Sequence, residues 1–500
     1  MLTAKERWNL YNSKRTEILR RARDCSALTI PGLLPPEGHT ENSPLATPYQ
    51  SLGARGTNNL TSKILLALFP PGQALFKWTI EPKAKAQLAS EKKIATAQQM
   101  LSSQELQVTE KIEGLSLRKT LVETINHLVV AGNVLYNKTK TGARMFRLDQ
   151  FVICRDPEGN PVEGVVKESV SPITLKQEVI EACGVDVSKR ETPVDVYTVI
   201  EWHESKVIDW QEINDKRVPN STSVRPKNKS RWFPLRWRAV PGENYGRGHI
   251  EEYIGDLRSL EGLTMAIVQF AAAAARILFR VSPGAITDFD ELSKLESGQS
   301  FTGNEKDVTV LQIEKAQDFQ IANTVAEKLE LRLSHSFLLK SGTIRDAERV
   351  TAEEIRELAQ ELEDALGGVY TVLADEFQLP FVRLMIHEMQ QAGELPALPE
   401  KVVNPIIVTG FQALGRNHAV NKLRAFLGDL RAIDPELSTV NKSVAARRLG
   451  VGWGVEDLDE LIKSEDDLAQ EAENNIAGNI VDKTAGAIAG PVAKAAAGQQ

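Results

Sequence analysis

Cysteine is scarce: the chain holds three in 500 residues, Cys25, Cys154 and Cys183. The count is odd and no pair has CxxC spacing. That excludes a disulfide framework and a cysteine zinc site, and it points to a reducing compartment. Histidine is scarce as well. The seven are scattered, none four residues from another, so no helix face presents the imidazole pair of a zinc protease. His335 and His387 fall in expected helices and read as packed or surface imidazoles. An excess of positive charge is also missing, with 60 Lys and Arg against 67 Asp and Glu and a net charge of −7. A protein that grips duplex DNA clusters cations to displace counterions. This composition does not supply them in bulk, whereas an acidic wall would let phosphates slide past.

Long apolar runs are absent too. The longest, from Met265 to Val281, is broken by Gln269, Arg276 and Arg280 and is too short to cross a bilayer. The stretch Met1 to Trp8 is charged and has no apolar core, so no signal peptide is expected. Nucleotide signatures fail: after Gly32 and Gly38 the phosphate-binding lysine is replaced by His39-Thr40, and Gly246-Arg-Gly248 lacks a third glycine. The latter reads as a turn entering a helix. Adjacent carboxylates, Glu353-Glu354 and Asp466-Asp467, read as solvated helix faces. No catalytic residue, metal site or cofactor is expected.

What is present is a foldable chain, 42% hydrophobic and 25% charged, long enough for two to four folding units. The spacing predicts helices to about Cys25, over Tyr49 to Phe69 and over 84–136, the last ending in the apolar run Leu128 to Leu135. Strands are predicted from Met145 to about Ser171, around the turn Asp156-Pro-Glu-Gly-Asn160, and at 194–202 and 232–240. Between the last two, residues 211–230 read as polar, basic and mobile. In Arg231-Trp-Phe-Pro-Leu-Arg-Trp-Arg238 the strand reading turns Phe233, Leu235 and Trp237 inward and Arg236 and Arg238 outward. A base-stacking surface is its alternative.

From Gly248 a long helix runs through Ile254, Leu257, Leu260, Leu263 and Ile267 and five alanines to about Arg280. A small strand-containing insert follows, then a helix over 318–339. The polar break Lys340 to Arg349 precedes a helix opened by a capping box, Thr351-Ala-Glu-Glu354. Its apolar stripe continues through Leu366, Val369 and Leu373, with a kink expected at Gly367-Gly368 and a bend at Pro380. Helices near 417–432 and 438–449 and an acidic one at 456–475 lead to an Ala/Gly-rich tail, 477–500. The fold class is α+β, mainly helical.

Several stretches together resemble the head-to-tail connector, or portal, family of short-tailed bacteriophages, over about residues 5–420. They are Tyr49-Gln-Ser-Leu-Gly-Ala-Arg-Gly-Thr-Asn-Asn-Leu60 with Ala67-Leu-Phe-Pro70, and Leu128-Val-Val-Ala-Gly-Asn133. Next come Tyr245-Gly-Arg-Gly-His-Ile-Glu-Glu-Tyr253 with Gly255-Asp-Leu-Arg-Ser-Leu-Glu261, then Glu348-Arg-Val-Thr-Ala-Glu-Glu-Ile-Arg356 with Leu366-Gly-Gly-Val-Tyr370. Their order along the chain also matches.

The resemblance implies a ring of twelve subunits with wing, stem, clip and crown regions. Mapped here, the wing is 1–247, the stem helices are 248–281 and 318–339, and the clip is 282–317. A tunnel loop occupies 340–350, wing with the long helix 351–430, crown 431–476 and tail 477–500. The implied tunnel-loop residues are Lys340, Ser341, Gly342, Thr343, Arg345, Asp346 and Arg349. Clip docking residues are Asp288, Asp290, Glu291, Lys294 and Glu296. The resemblance further implies a virion protein at one capsid vertex, assembled in the host cytoplasm and acting without a cofactor or a membrane. Its implied partners are double-stranded DNA, the terminase large subunit, a tail adaptor, and the major capsid and scaffolding proteins. A scaffolding or internal virion protein is the alternative; such a chain would be more uniformly helical and polar.

Overall fold

The structure is a computed structural model. It describes residues 2–69, 75–84, 94–115, 117–188, 192–274, 278–281, 307–311, 316–339, 368–396, 402–407 and 423–435, with a few isolated positions between and beyond these. The chain divides into two compact units. The larger comprises 1–350 and 357–409, the smaller 351–356 and 410–500.

The larger unit opens with α1 (Ala4–Asn12), started by a capping box in which Thr3 and Glu6 exchange hydrogen bonds of 2.9 and 3.3 Å. A 3-10 turn leads to α2 (Thr16–Ala27). After a loop come α3 (Leu52–Leu68), β1 (Phe76–Ile80), α4 (Ile94–Gly114) and α5 (Arg118–Ala131). The strand-rich middle holds β2 (Asn133–Lys138), β3 (Ala143–Phe146), β4 (Phe151–Arg155) and β5 (Pro161–Val170). It continues through α6 (Gln177–Cys183), β6 (Val194–Trp202), β7 (Lys206–Ile213), β8 (Lys216–Arg217), β9 (Ser223–Pro226) and β10 (Trp232–Arg236). Then follow α7 (His249–Ala274), β11 (Leu278–Val281), β12 (Val308–Leu311) and α8 (Ala316–Ser336). Last are α9 (Val369–Leu373), a π turn at Ala374–Gln378, α10 (Leu379–Gln391) and β13 (Val403–Ile407). In the smaller unit, residues 423–433 form α11, with Phe426 and Ile433 exposed.

Strands β4 to β8 form an antiparallel sheet in chain order, with β9 also paired to β7. Because side chains alternate along a strand, it buries both faces. Val152, Val165 and Val199 pack against Trp8 of α1, while Phe151, Ile153, Val166 and Ile200 face Leu19 and Ala22 of α2. The main core lies elsewhere, where α3, α4, α5, α7, α8 and α10 meet the β10-β2-β3 sheet. Tyr136, Phe233, Phe377 and Phe381 cluster there with ring centroids 5.0 to 6.3 Å apart. Pairs of this kind add about 0.5–1.5 kcal/mol each beyond area burial.

Four expectations need correction. Helix α5 does not run through Leu135. Gly132 takes φ 73° and ends it, and Val134 and Leu135 join a strand paired with β10 and β3. The long helix from 249 is described only to Ala274, and 278–281 is strand β11 paired with 308–311, not helix. The alanines favour helix, but Leu278-Phe-Arg-Val281 is rich in strand formers and finds an antiparallel partner. Residues 211–230, read as mobile, fold as the end of β7, β8, β9 and a 3-10 turn. Finally, Phe233, Leu235 and Trp237 are buried and Arg238 is exposed, as expected, but Arg236 is only 8% exposed. Its guanidinium pairs with Glu376 on the π turn, which lets a cation sit inside. Just before Pro380, the expected site of a bend, the helix holds a π turn, since a proline nitrogen cannot donate back to the preceding turn. The kink at Gly367-Gly368 and the capping box at Thr351 lie outside the described residues, apart from Gly368.

Candidate functional site at the root of the helix pair

Helices α7 and α8 run antiparallel. His249 of α7 meets Ser336 of α8, Asp256 pairs with Arg332 at 2.6 Å, and Phe270 stacks on Phe319 at 5.1 Å. Leu257, Leu260 and Leu333 are fully buried near the root. Elsewhere on the pair, Met265, Val268, Ile321, Val325 and Leu331 are 39 to 64% exposed. The helix pair therefore leaves apolar side chains on its outer faces, which one chain alone does not cover.

The start of α7 is locked to the end of α5. A Cβ on Gly248 would lie 2.7 Å from the Val130 carbonyl, so the two backbones touch as only glycine permits. Asn133 closes the joint. Its Nδ2 donates to the carbonyls of Gly246 (2.9 Å) and Ala131 (3.2 Å), and its Oδ1 accepts from the Gly246 N–H at 2.7 Å. The Trp237 N–H donates to the Gly132 carbonyl at 2.9 Å. A second joint fixes α3 on α7: the Glu261 carboxylate accepts from the Tyr49 and Gln50 N–H groups at 3.0 and 3.1 Å. These are unpaired donors ahead of a helix N-terminus, where a carboxylate is favoured.

The third joint holds the far end of α8, from which residue 340 continues. The Phe337 ring lies against Gly56 of α3, closer than any Cβ would allow. Leu338 has φ 55°, a left-handed conformation that a leucine adopts only when its surroundings hold it there. Asn59 Nδ2 donates to the carbonyls of Phe337 (3.0 Å) and Leu338 (3.2 Å), and Lys63 Nζ donates to the Leu338 carbonyl at 2.8 Å. Lys63 is 3% exposed, a buried cation beside a helix C-terminus, the end that favours positive charge. His249 Nε2 lies 3.1 Å from the Ser336 carbonyl, within a ring of Trp237, Tyr253 and Phe337. Burial pushes the imidazole down to about 4, against the pull of the Ser336 carbonyl, so at neutral pH it is an uncharged donor.

The seven tunnel-loop residues, Lys340, Ser341, Gly342, Thr343, Arg345, Asp346 and Arg349, lie outside the described residues, as do Asp288, Asp290, Glu291 and Glu296. Lys294 is described, as an exposed turn residue. Only the root at Leu339 is placed. Sequence reasoning had missed Asn59, Lys63, Asn133, His249 and Glu261 as individual residues. The signal was there: Gly56, Asn59 and Lys63 recur at three- and four-residue spacing, on the same face of α3 as its buried apolar residues. Among the described residues no group of His, Cys, Asp and Glu is arranged to hold a metal ion.

The family profile described as "Bacteriophage head to tail connecting protein" matches residues 2–457. The chain is 37% identical over 466 residues to the portal protein of Enterobacteria phage T3, covering 91% of this chain and 87% of that one. It is 36% identical to the portal protein of Escherichia phage T7, covering 99% and 96%, and 30% identical to that of Enterobacteria phage SP6, covering 84% and 81%. Among solved structures, a chain of a native gene transfer agent virion aligns at a TM-score of 0.35 and 11% identity, over 80% of this chain and 89% of that one. The alternative of an unrelated scaffolding or internal protein gives way to a profile that spans the described root and nearly the whole sequence: the chain belongs to the bacteriophage head to tail connecting protein family, and its role is that of the portal, or head-to-tail connector.

Proposed function

We propose that twelve copies of this chain form a ring at one capsid vertex, through which double-stranded DNA is packaged and later ejected. The observation that carries the reading is the helix pair α7–α8, held by three joints and carrying exposed Met265, Val268, Ile321, Val325 and Leu331 along its length. Side-by-side packing of such pairs around an axis would cover those groups. In this reading the pair is the stem, residues 282–317 the clip, 340–350 the tunnel loop, 431–476 the crown, and the rest the wing with its long helix from 351. The ring nucleates head assembly in the host cytoplasm with the major capsid and scaffolding proteins. The terminase large subunit docks on the clip through Asp288, Asp290, Glu291, Lys294 and Glu296 and supplies the ATP-driven work. A tail adaptor later takes the same surface. The ring itself performs no chemistry and needs no cofactor.

Negative-stain imaging and sedimentation of the purified chain test the ring. A particle with a central hole is expected, and Ile321→Glu with Val325→Glu should leave a folded chain that no longer closes it. A monomer at every concentration refutes the reading. At the tunnel loop, Lys340, Arg345 and Arg349 touch passing phosphates transiently while Asp346 and Glu348 limit the grip. Arg349 lies nearer the helix start, where a contact between subunits or with the helix is its alternative role. Lys340→Ala with Arg345→Ala should alter packaging or DNA retention in rings that still assemble. Unchanged packaging and retention would remove that role.

A further inference from the structure

A cavity of about 260 Å3 opens between the 3-10 turn after α1, the start of α2 and the loop 242–247 that leads into α7. Lys14, Arg15, Arg21 and Arg247 line it, together with Tyr11, Tyr245 and Glu243. The surrounding charges do not balance. Arg247 lies between Glu243 at 2.8 Å and Glu251 at 2.9 Å, and Arg21 reaches the same Glu251 at 3.4 Å. Glu163 accepts from the Tyr11 hydroxyl but is paired with Arg7, and Asp149 pairs with Arg147 at 3.0 Å. Among the described residues the four lining cations therefore have two carboxylates as direct ion partners, an excess of two, in a chain whose net charge is −7.

Arg15 sharpens the imbalance. It is 1% exposed, and its donors go to neutral oxygens: the Leu148 and Phe151 carbonyls and Asn12 Oδ1 at 3.0 Å. Trp8 and Tyr245 rings lie 5.3 and 6.0 Å from its guanidinium carbon. A buried cation without a carboxylate keeps a positive potential that water screens poorly, because the dielectric around it is low. Lys14, one residue away, is exposed at the cavity mouth.

We propose that this cavity is a binding site for a phosphate dianion, either free phosphate or the terminal monoester of a small molecule. The excess of two matches a dianion, where a single carboxylate would leave one charge uncompensated. A duplex backbone is broad and carries one charge per phosphate, so it fits a stripe of surface cations better than one local pocket. Lys14 and Arg21 supply donors from the rim, the Arg15 guanidinium sets the potential behind them, and the tyrosines wall the space beside the phosphate. The site adjoins the start of α7 through Arg247 and Glu251, but the proposal does not depend on the ring reading.

The test is isothermal titration of the full chain with inorganic phosphate and, separately, with adenosine monophosphate, at matched ionic strength. Saturable binding of either is expected, and Lys14→Met and Arg21→Met should each weaken it about tenfold, the loss of one charge-assisted hydrogen bond. Tighter binding of the monophosphate identifies a monoester site, and equal binding a site for free phosphate. No saturable binding, affinities unchanged in both variants, or displacement of phosphate by a short DNA duplex at equal phosphate concentration would each overturn the proposal. Both substitutions are at partly or fully exposed side chains, and an unchanged melting temperature without ligand confirms that the fold is intact.

Discussion

Replacing Asn133 with alanine should loosen the joint between α5 and α7 without unfolding the chain. The side chain is 2% exposed and makes three hydrogen bonds, two of them to Gly246. Truncation leaves the Gly246 N–H with no acceptor in a space that Gly132 and Gly248 keep narrow, and an orphaned buried donor costs about 1–3 kcal/mol. The two carbonyls lose less, since each retains a second lone pair. A total of about 2–4 kcal/mol follows, directed at this joint. Hydrogen exchange reads it locally. The amides of Trp237, bonded to the Gly132 carbonyl at 2.9 Å, and Arg247, bonded to the Arg238 carbonyl at 3.0 Å, flank the site. A loss of 2 kcal/mol should speed their exchange roughly thirtyfold if they open locally, while β5 and β6 stay protected. Protein concentration must be held fixed, because assembly stabilises by mass action. Unchanged exchange at both amides would mean that water replaces the asparagine freely and that glycine packing alone holds the joint.

Two further outcomes concern the same region. His127 and His249 are both pushed down to about 4, chiefly by burial, from an unfolded value near 6.5. The unfolded chain binds more protons between those values, so stability is full above pH 6.5 and falls as the pH drops towards 4. The loss is at most roughly 3 kcal/mol per histidine, and melting temperatures across that window should flatten in a His249→Gln variant. Gly56→Ala forces a methyl into the Phe337 ring and should cost about 1–3 kcal/mol, read as a lower urea midpoint at unchanged slope; an unchanged midpoint would show that the ring moves aside freely.

Periodicity located α3, α7, α8 and the middle strands because their apolar residues recur at the spacing of the element and glycine or proline punctuates them. It failed where a short apolar run reads either way. Leu128 to Leu135 is helix on one side of Gly132 and strand on the other, and only the glycine marked the change. Long-range partners were invisible. Arg236 is buried because Glu376, 140 positions on, meets it. Lys63 is buried because its carbonyl partner lies 275 positions away. No local pattern encodes either pairing. The tunnel-loop residues rest on the resemblance alone, since an isolated polar break between helices has no periodicity of its own to read.

Four of the stretches that carried the resemblance turn out to be joints. Leu128 to Asn133 meets Tyr245 to His249 across glycine contacts, Tyr49-Gln50 meets Glu261, and Gly56 meets Phe337. They hold the helix pair on α3 and α5 and bring together no nucleophile, base or metal ligand among the described residues. The root also constrains any movement of the segment beyond Leu339. Swinging that segment about Leu338 would break up to three hydrogen bonds from Asn59 and Lys63 and disturb a left-handed leucine. Motion that leaves those bonds intact is much cheaper. These bonds therefore fix the end of α8 on α3, as Asn133 and the glycine contacts fix the start of α7 on α5.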